Sequence, residues 1–400
     1  MIPFFLRCLA ATAPVAATFF CASVFGAAHV PSDDNLILER LPPAARAVDS
    51  LFRSRAQGTA TVTAQQAVAE ARKFVEIGQL FSDPRAYGYA QAALGPWWSA
   101  SPAPDEVLLM RARILQFRHQ FSEALRLLEA ALQHDQFDPD AWLMLASIEQ
   151  VRGNVPASRA ACLKLIPISD PLIGAACVTG TASLTAEAKQ ADPLLDRALR
   201  QPTAASPSEL AWAWTILAEL RARTAMRDDE FAQAEVAFKS ALATEPESVY
   251  ARSAYADFLI DRGRSHEVRA VLGEATQADA LLLRSAIAAR IDADSDAGSL
   301  RDNLEQRFAD ARQRGDETHL REQARFELHV RGDSAQALSL ASRNFQTQRE
   351  PADAQLLVDA AMAAKNPEAA RPVVQWLDET GIDEPRLRVA VKSLESPSAK

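Results

Sequence analysis

Between Asp105 and roughly Pro351 one short phrase keeps returning, and it constrains the fold more than any other feature of the chain. Its clearest copy reads Arg252, Tyr255, Ala256 and Leu259, then Gly263, then Val268, Leu272 and Ala275. The apolar positions step by three and four, the period of a helix face. Gly263 interrupts them where the chain must turn. One such helical hairpin leaves its apolar face uncovered, so several copies must stack to bury it.

The copies follow one another along the chain. Thr63 and Gln66 have the spacing of a capping box, opening a helix through Val68, Ala71, Val75 and Leu80. Asp83-Pro84 ends it, and Tyr87–Leu94 begins its partner. A second hairpin is predicted over Glu106–Arg118 and Ser122–His134. The third opens at Trp142, turns at Gly153 and runs to Asp170-Pro171. The fourth, less regular, covers Leu172–Leu184 and Ala186–Arg200. The fifth joins Trp214–Ala218 to Ala234–Ala241 and closes at Pro246. Its two halves stand four residues further apart than those of the third and sixth copies, which is about one extra helical turn. After Asp279 the pattern fades. Ala280–Ile291 with Leu300–Arg314, Glu317–Arg331 with Ser334–Phe345, and Pro351–Ala364 with Pro367–Thr380 are the remaining pairs, and Pro385–Leu394 serves as a terminal cap. The expected organisation is stronger repeats over residues 63–280, degenerate repeats and a cap over 281–395, and a disordered tail over 396–400.

Composition agrees with an all-α chain. Ala and Leu dominate the 48% of hydrophobic residues, Gly numbers only 14, and runs of β-branched residues are absent. A formal net charge of −9 without a basic stripe argues against a nucleic-acid partner. The first 28 residues are different material. Met1–Arg7 carries one positive charge, Leu9–Phe25 is uncharged and mostly apolar, and Gly26-Ala27-Ala28 precedes polar Ser32-Asp33-Asp34. This is the layout of a secretory signal peptide cleaved after Gly26 or Ala28, and it predicts a periplasmic protein. Retained, the same segment would tie the chain to the membrane, although its apolar run of about 17 residues is at the short edge for a span. A lipid anchor at Cys21 is disfavoured by Phe19-Phe20 before it. Residues 29–62 read as a lead-in, extended apart from a short helix near Ala44–Ser54.

Trp142-x-x-Leu145-Ala146, Gly153, Ser158, Cys162 and Leu165 resemble a tetratricopeptide repeat, a helix–turn–helix of about 34 residues. Ala218, Ala234, Phe238, Ala241, Leu242 and Pro246 are similar to the second half of that motif, and Tyr255-Ala256 to Ala275 resembles a whole one. Ala112, Ala146, Ala218 and Ala256 fall where two helices approach closest, and a larger side chain would push them apart. The resemblance implies a right-handed superhelical solenoid of stacked hairpins whose first helices line a concave groove. That groove would take an extended peptide or a partner helix. On this chain it would offer Arg113, Gln116, Phe117, Ser147, Gln150, Trp212, Glu219, Arg223, Tyr250, Ser253 and Asp257. The mixture of signs suits a protein segment. Trp142 and Trp214 take packing slots; Trp212, two positions from Trp214, points to another face and is the candidate for an exposed recognition residue.

Signatures of chemistry are missing. The His residues at 29, 119, 134, 266, 319 and 329 form no His-Glu-x-x-His pair and no Cys/His cluster. There is no Gly-x-Ser-x-Gly elbow and no Gly-rich phosphate loop. No cofactor or metal is expected, and the chain is not expected to be an enzyme. A glycan-cleaving envelope enzyme with a helical superstructure is the catalytic alternative, with Glu219 as the carboxylate to suspect. Export would remove Cys8 and Cys21 and leave Cys162 and Cys177 in an oxidising compartment. Both flank a turn near Asp170-Pro171 on antiparallel helices, and their midpoint lies at that turn. A disulfide is expected over the alternative of two buried thiols. The function that follows is a non-catalytic interaction scaffold of the cell envelope; a membrane-anchored assembly factor is the alternative.

Overall fold

A computed structural model describes residues 62–81, 83–273, 278–313, 315 and 318–395. The expected signal peptide, nearly all of the lead-in and the tail from Ser396 lie outside the described residues, as does Ala275. Among the described residues every regular element is helical.

The first hairpin pairs α1 (Ala64–Phe81) with α2 (Pro84–Leu94). Thr63 and Gln66 cap α1 reciprocally, each backbone amide donating to the other's side chain at 3.1 and 3.2 Å. Asp83 caps α2 by accepting the Arg85 amide, and Pro84 fills a first-turn position whose N–H would have had no partner. The second hairpin is α3 (Asp105–Phe117) and α4 (Phe121–His134), and the third is α5 (Pro139–Val151) and α6 (Val155–Leu165). The fourth is α7 (Pro171–Ala182) and α8 (Ala188–Ala198), and the fifth α9 (Pro207–Thr224) and α10 (Asp228–Thr244). The acceptor-then-Pro start recurs at Asp138-Pro139, Asp170-Pro171 and Ser206-Pro207. The extra spacing of the fifth repeat becomes helix: α9 and α10 have 18 and 17 residues, against 13 and 11 in α5 and α6.

The sixth hairpin joins α11 (Val249–Asp261) to α12 (Val268–Leu272), which is shorter than the pattern predicts. Gly273, with φ +57, leaves the helical region and ends it. Beyond lie α13 (Asp279–Ile291), α14 (Ala297–Gln313), α15 (Leu320–Phe326), α16 (Ser334–Asn344), α17 (Pro351–Ala363), α18 (Arg371–Thr380) and α19 (Pro385–Glu395). The helix expected over Glu317–Arg331 is divided. Its second part, Glu327–Arg331, widens into a π turn that left-handed Gly332 terminates.

One turn repeats across strong and weak copies alike. Two residues beyond the end of α3, α5, α11, α13 and α17 stand His119, Gly153, Gly263, Ala293 and Lys365, all with positive φ. The next amide in each case returns to a carbonyl five residues back: Gln120 to Leu115, Asn154 to Glu149, Arg264 to Leu259, Asp294 to Ala289 and Asn366 to Ala361. That bond satisfies a helix-end carbonyl and sets the angle at which the second helix leaves.

The core is a succession of local clusters. Ala112 packs with Phe121, Ala124 and Leu128, and Ala218 and Ala256 pack with Phe238, Leu259 and Leu272. Ala112, Ala146, Ala218 and Ala256 are all buried, as close helix approach requires. Cys162 on α6 and Cys177 on α7 are joined as a disulfide, with Cα atoms 5.5 Å apart, inside the cluster of Ala146, Leu165 and Ile173. Repeats that touch only their neighbours would give nothing but such clusters. One cluster departs from that rule. Val155 and Leu184, from the third and fourth hairpins, lie with Leu340, Phe345, Leu357, Trp376, Ile382 and Leu387.

Candidate partner-binding groove

The candidate residues lie on the first helices of the second, third, fifth and sixth hairpins. Arg113 on α3 faces Asp140 at the start of α5, at 3.6 Å. Gln116 and Gln150 are partly exposed there, and the Ser147 hydroxyl donates to the Leu143 carbonyl within its own helix. Further along, the Tyr250 hydroxyl donates to Glu219 Oε2 at 2.6 Å, linking α11 to α9. Tyr250 keeps 46% of its surface open. Burial and the adjoining Glu219 charge raise its hydroxyl well above its ordinary value. Burial also raises the Glu219 carboxyl, against the opposing hydrogen bond from Tyr250 and the charge of Arg223.

Asp257 is the centre of a charge cluster. Arg284 on α13 reaches it at 2.5 Å and Arg325 on α15 at 2.7 Å, while Arg284 Nε donates to the Ser253 carbonyl. Burial alone would push the carboxyl up; the two guanidiniums outweigh it and hold Asp257 at about 2. Two candidates are placed elsewhere. The Phe117 ring stacks on Tyr87 of the first hairpin, 4.4 Å between centroids. Trp212 is partly buried between the clusters of the fourth and fifth hairpins, so the expectation of a freely exposed recognition residue is corrected. An 18-residue helix this close to its neighbours leaves an indole little room off the packed face.

The largest difference from expectation is on the far rim. The C-terminal hairpins return across the ends of the inner helices. The Gln348 side chain approaches His119 Nδ1 after α3 (3.3 Å), and the Arg349 amide donates to the Val151 carbonyl of α5 (2.7 Å). The Asp383 amide donates to Leu184 O after α7 (2.9 Å), and Glu384 pairs with Arg223 near the end of α9 (2.9 Å). Arg386 reaches Asp261, the last residue of α11 (3.3 Å). Arg223 is held for its role by two further bonds, to Ser183 O and Oγ. Gly153 is what lets α5 be approached so closely: a Cβ there would stand 2.5 Å from Trp376 Nε1 and 2.9 Å from Arg349 Cβ. Sequence reasoning missed this contact, because its partners share no local period.

A buried polar chain supports the returning segment. Arg321 on α15 pairs with Asp353 (2.5 Å) and Glu350 (2.6 Å). Asn344 donates to Asp353, and Gln348 donates to Asn344. His119 lies at the end of the chain, its imidazole lowered to about 4 by burial, with Glu322 opposing and His319 and Arg321 reinforcing. Among the described residues no group of three or more His, Cys, Asp or Glu is placed to hold a metal ion. None of the described helices is long and apolar enough to cross a membrane.

Residues 109–172, spanning most of the second and third hairpins, match the tetratricopeptide repeat family. No curated protein matches the chain. Among solved structures, a tetratricopeptide repeat protein from Parabacteroides merdae aligns at 14% identity over 83% of this chain and 98% of its own, with a TM-score of 0.27. The tetratricopeptide repeat domain of P58(IPK) aligns at 13% identity over 83% and 97%, with a TM-score of 0.24. Superpositions this loose carry no argument about shape or role. The sequence match and the recurring hairpin turn do: proteins of this kind in general mediate protein–protein interaction through a non-catalytic scaffold. Over residues 109–172 the chain therefore carries tetratricopeptide repeat sequence, set within a longer run of stacked helical hairpins.

Proposed function

We propose that the chain is an exported, non-catalytic scaffold of the cell envelope that holds a protein segment against its inner helices. The observation that carries this reading is the Tyr250–Glu219 pair, which joins two first helices and still leaves Tyr250 46% exposed. A ring of that size, anchored at its polar end and open on its face, is a ready contact for a partner side chain. Arg113 and Gln150 extend the same face toward the second and third hairpins. The Cys162–Cys177 disulfide supports the export part of the reading, since such bonds persist in oxidising compartments.

Photo-crosslinking tests the groove. A photoreactive phenylalanine at Tyr250 should capture a specific partner in envelope extract, whereas one at exposed Lys239 on the outer helix α10 should not. Equal capture at both positions, or loss of no partner in an Arg113→Ala, Gln150→Ala double variant, would remove the groove from the account. Mass measurement of the purified protein tests export. An intact Met1 would replace cleavage with anchoring.

A further inference from the structure

Residues 381–384, between α18 and α19, have no helical structure and lie against Leu184 and Arg223 of the fourth and fifth hairpins. Three kinds of contact hold them there. Ile382 is fully buried beside Leu184, the Asp383 amide donates to the Leu184 carbonyl, and the Glu384 carboxylate meets Arg223. Backbone bond, apolar anchor and charge-assisted pair are what a groove uses to read an extended peptide. The receiving side is ready-made: Ser183 fixes two of the Arg223 bonds and leaves its Nε aimed at the carboxylate.

We propose that Ile382-Asp383-Glu384 is a built-in occupant of a site formed by Ser183, Leu184 and Arg223, and that this site takes a partner's extended segment of the same chemistry, an apolar residue followed by acidic ones, when the tethered copy lets go. The inference rests on the scaffold reading above and adds its regulation. A segment of the same chain competes intramolecularly, so a free competitor gains access only when those contacts are weakened or the partner binds elsewhere as well. Glu384 is the discriminating contact. Its carboxyl is raised by burial, with Arg223 opposing, so without that guanidinium the charge would be stranded.

The test uses the full chain and a fluorescein-labelled peptide of residues 378–389. Wild type should bind the peptide weakly by fluorescence polarisation. Glu384→Ala with Arg386→Ala should bind it at least ~10-fold more tightly, because the competing occupant is loosened. Adding Arg223→Ala should abolish the gain. Circular dichroism checks that each variant is folded, and the milder Glu384→Gln should move binding in the same direction. Equal peptide binding by wild type and the loosened variants, binding by neither, or undiminished binding without Arg223 would each overturn the proposal. A partner still captured at Tyr250 in those cases would leave the scaffold reading standing and remove the built-in occupant alone.

Discussion

Gly153 and Gly263 offer a matched pair of substitutions that separates backbone strain from long-range docking. Both occupy the same turn of their hairpins, with φ of +75 and +70. Alanine at either should cost about 1–2 kcal/mol for a side chain in left-handed backbone. The lower conformational freedom of the unfolded alanine chain offsets part of this equally in both. Their surroundings differ. A Cβ on Gly263 meets nothing within 4 Å, whereas on Gly153 it would lie 2.5 Å from the Trp376 ring nitrogen, 2.9 Å from Arg349 Cβ and 3.1 Å from the Arg349 carbonyl oxygen. The Trp376 indole is a rigid ring, 3% exposed and edge-on to Phe345, so relief requires the returning segment to move. Overpacking of that kind costs a further ~1–3 kcal/mol. Gly153→Ala should therefore be the more destabilising by about that difference in urea unfolding. Amide hydrogen exchange should localise the effect, rising across residues 345–390 in Gly153→Ala only. Equal loss of stability in the two variants, with exchange unchanged in that region, would refute the close approach of α5 and the returning hairpins.

Three further outcomes are expected. Reduction, or Cys162→Ser with Cys177→Ser, should lower stability by on the order of 3 kcal/mol for a closed loop of 15 residues; a thermal midpoint indifferent to reductant would contradict this. Burial lowers His119 and His329 to about 4, below the ordinary 6.5, so both are neutral in the fold. Their contribution is present above pH 6.5 and is lost as pH falls toward 4, where the unfolded chain takes up protons first. Denaturation midpoints should drop across that window in wild type and less in a His119→Gln, His329→Gln variant; identical profiles would rule out the assignment. Arg321→Ala should cost ~3–5 kcal/mol by leaving fully buried Asp353 without its cation, and adding Asp353→Asn should recover part of it. Additive losses in the double variant would show that the pair is not coupled.

The recurring phrase made the hairpins legible because each depends on neighbours close in sequence. Asp83-Pro84 and Asp170-Pro171 marked breaks between helices, and the wider spacing of the fifth repeat marked its longer helices; the same start at Asp138-Pro139 and Ser206-Pro207 was not read. The turn itself does not depend on glycine: His119, Ala293 and Lys365 hold the left-handed position that Gly153 and Gly263 hold elsewhere, so the geometry outlasts that part of the sequence signal. The pairing of Cys162 with Cys177 was legible for the same local reason. Of the candidate residues, Tyr250 and Glu219 were both named from the sequence, but their hydrogen bond was not. That Arg223 meets Glu384 was not readable, since the bond depends on the summed rotation of every hairpin between them, and no single stretch of sequence encodes that sum.

That bond also changes how the array can vary. In an ordinary stack a hairpin can be added or lost and the remaining interfaces are kept. Here Leu184, Arg223 and Asp261 must meet Asp383, Glu384 and Arg386 at fixed places along the rim. Inserting one repeat anywhere between Asp261 and Arg349 would carry the returning segment past its acceptors by a whole hairpin's rise and rotation. These contacts tie the number of hairpins between them to the positions of their acceptors, so units that would otherwise be interchangeable are constrained by what lies far along the chain.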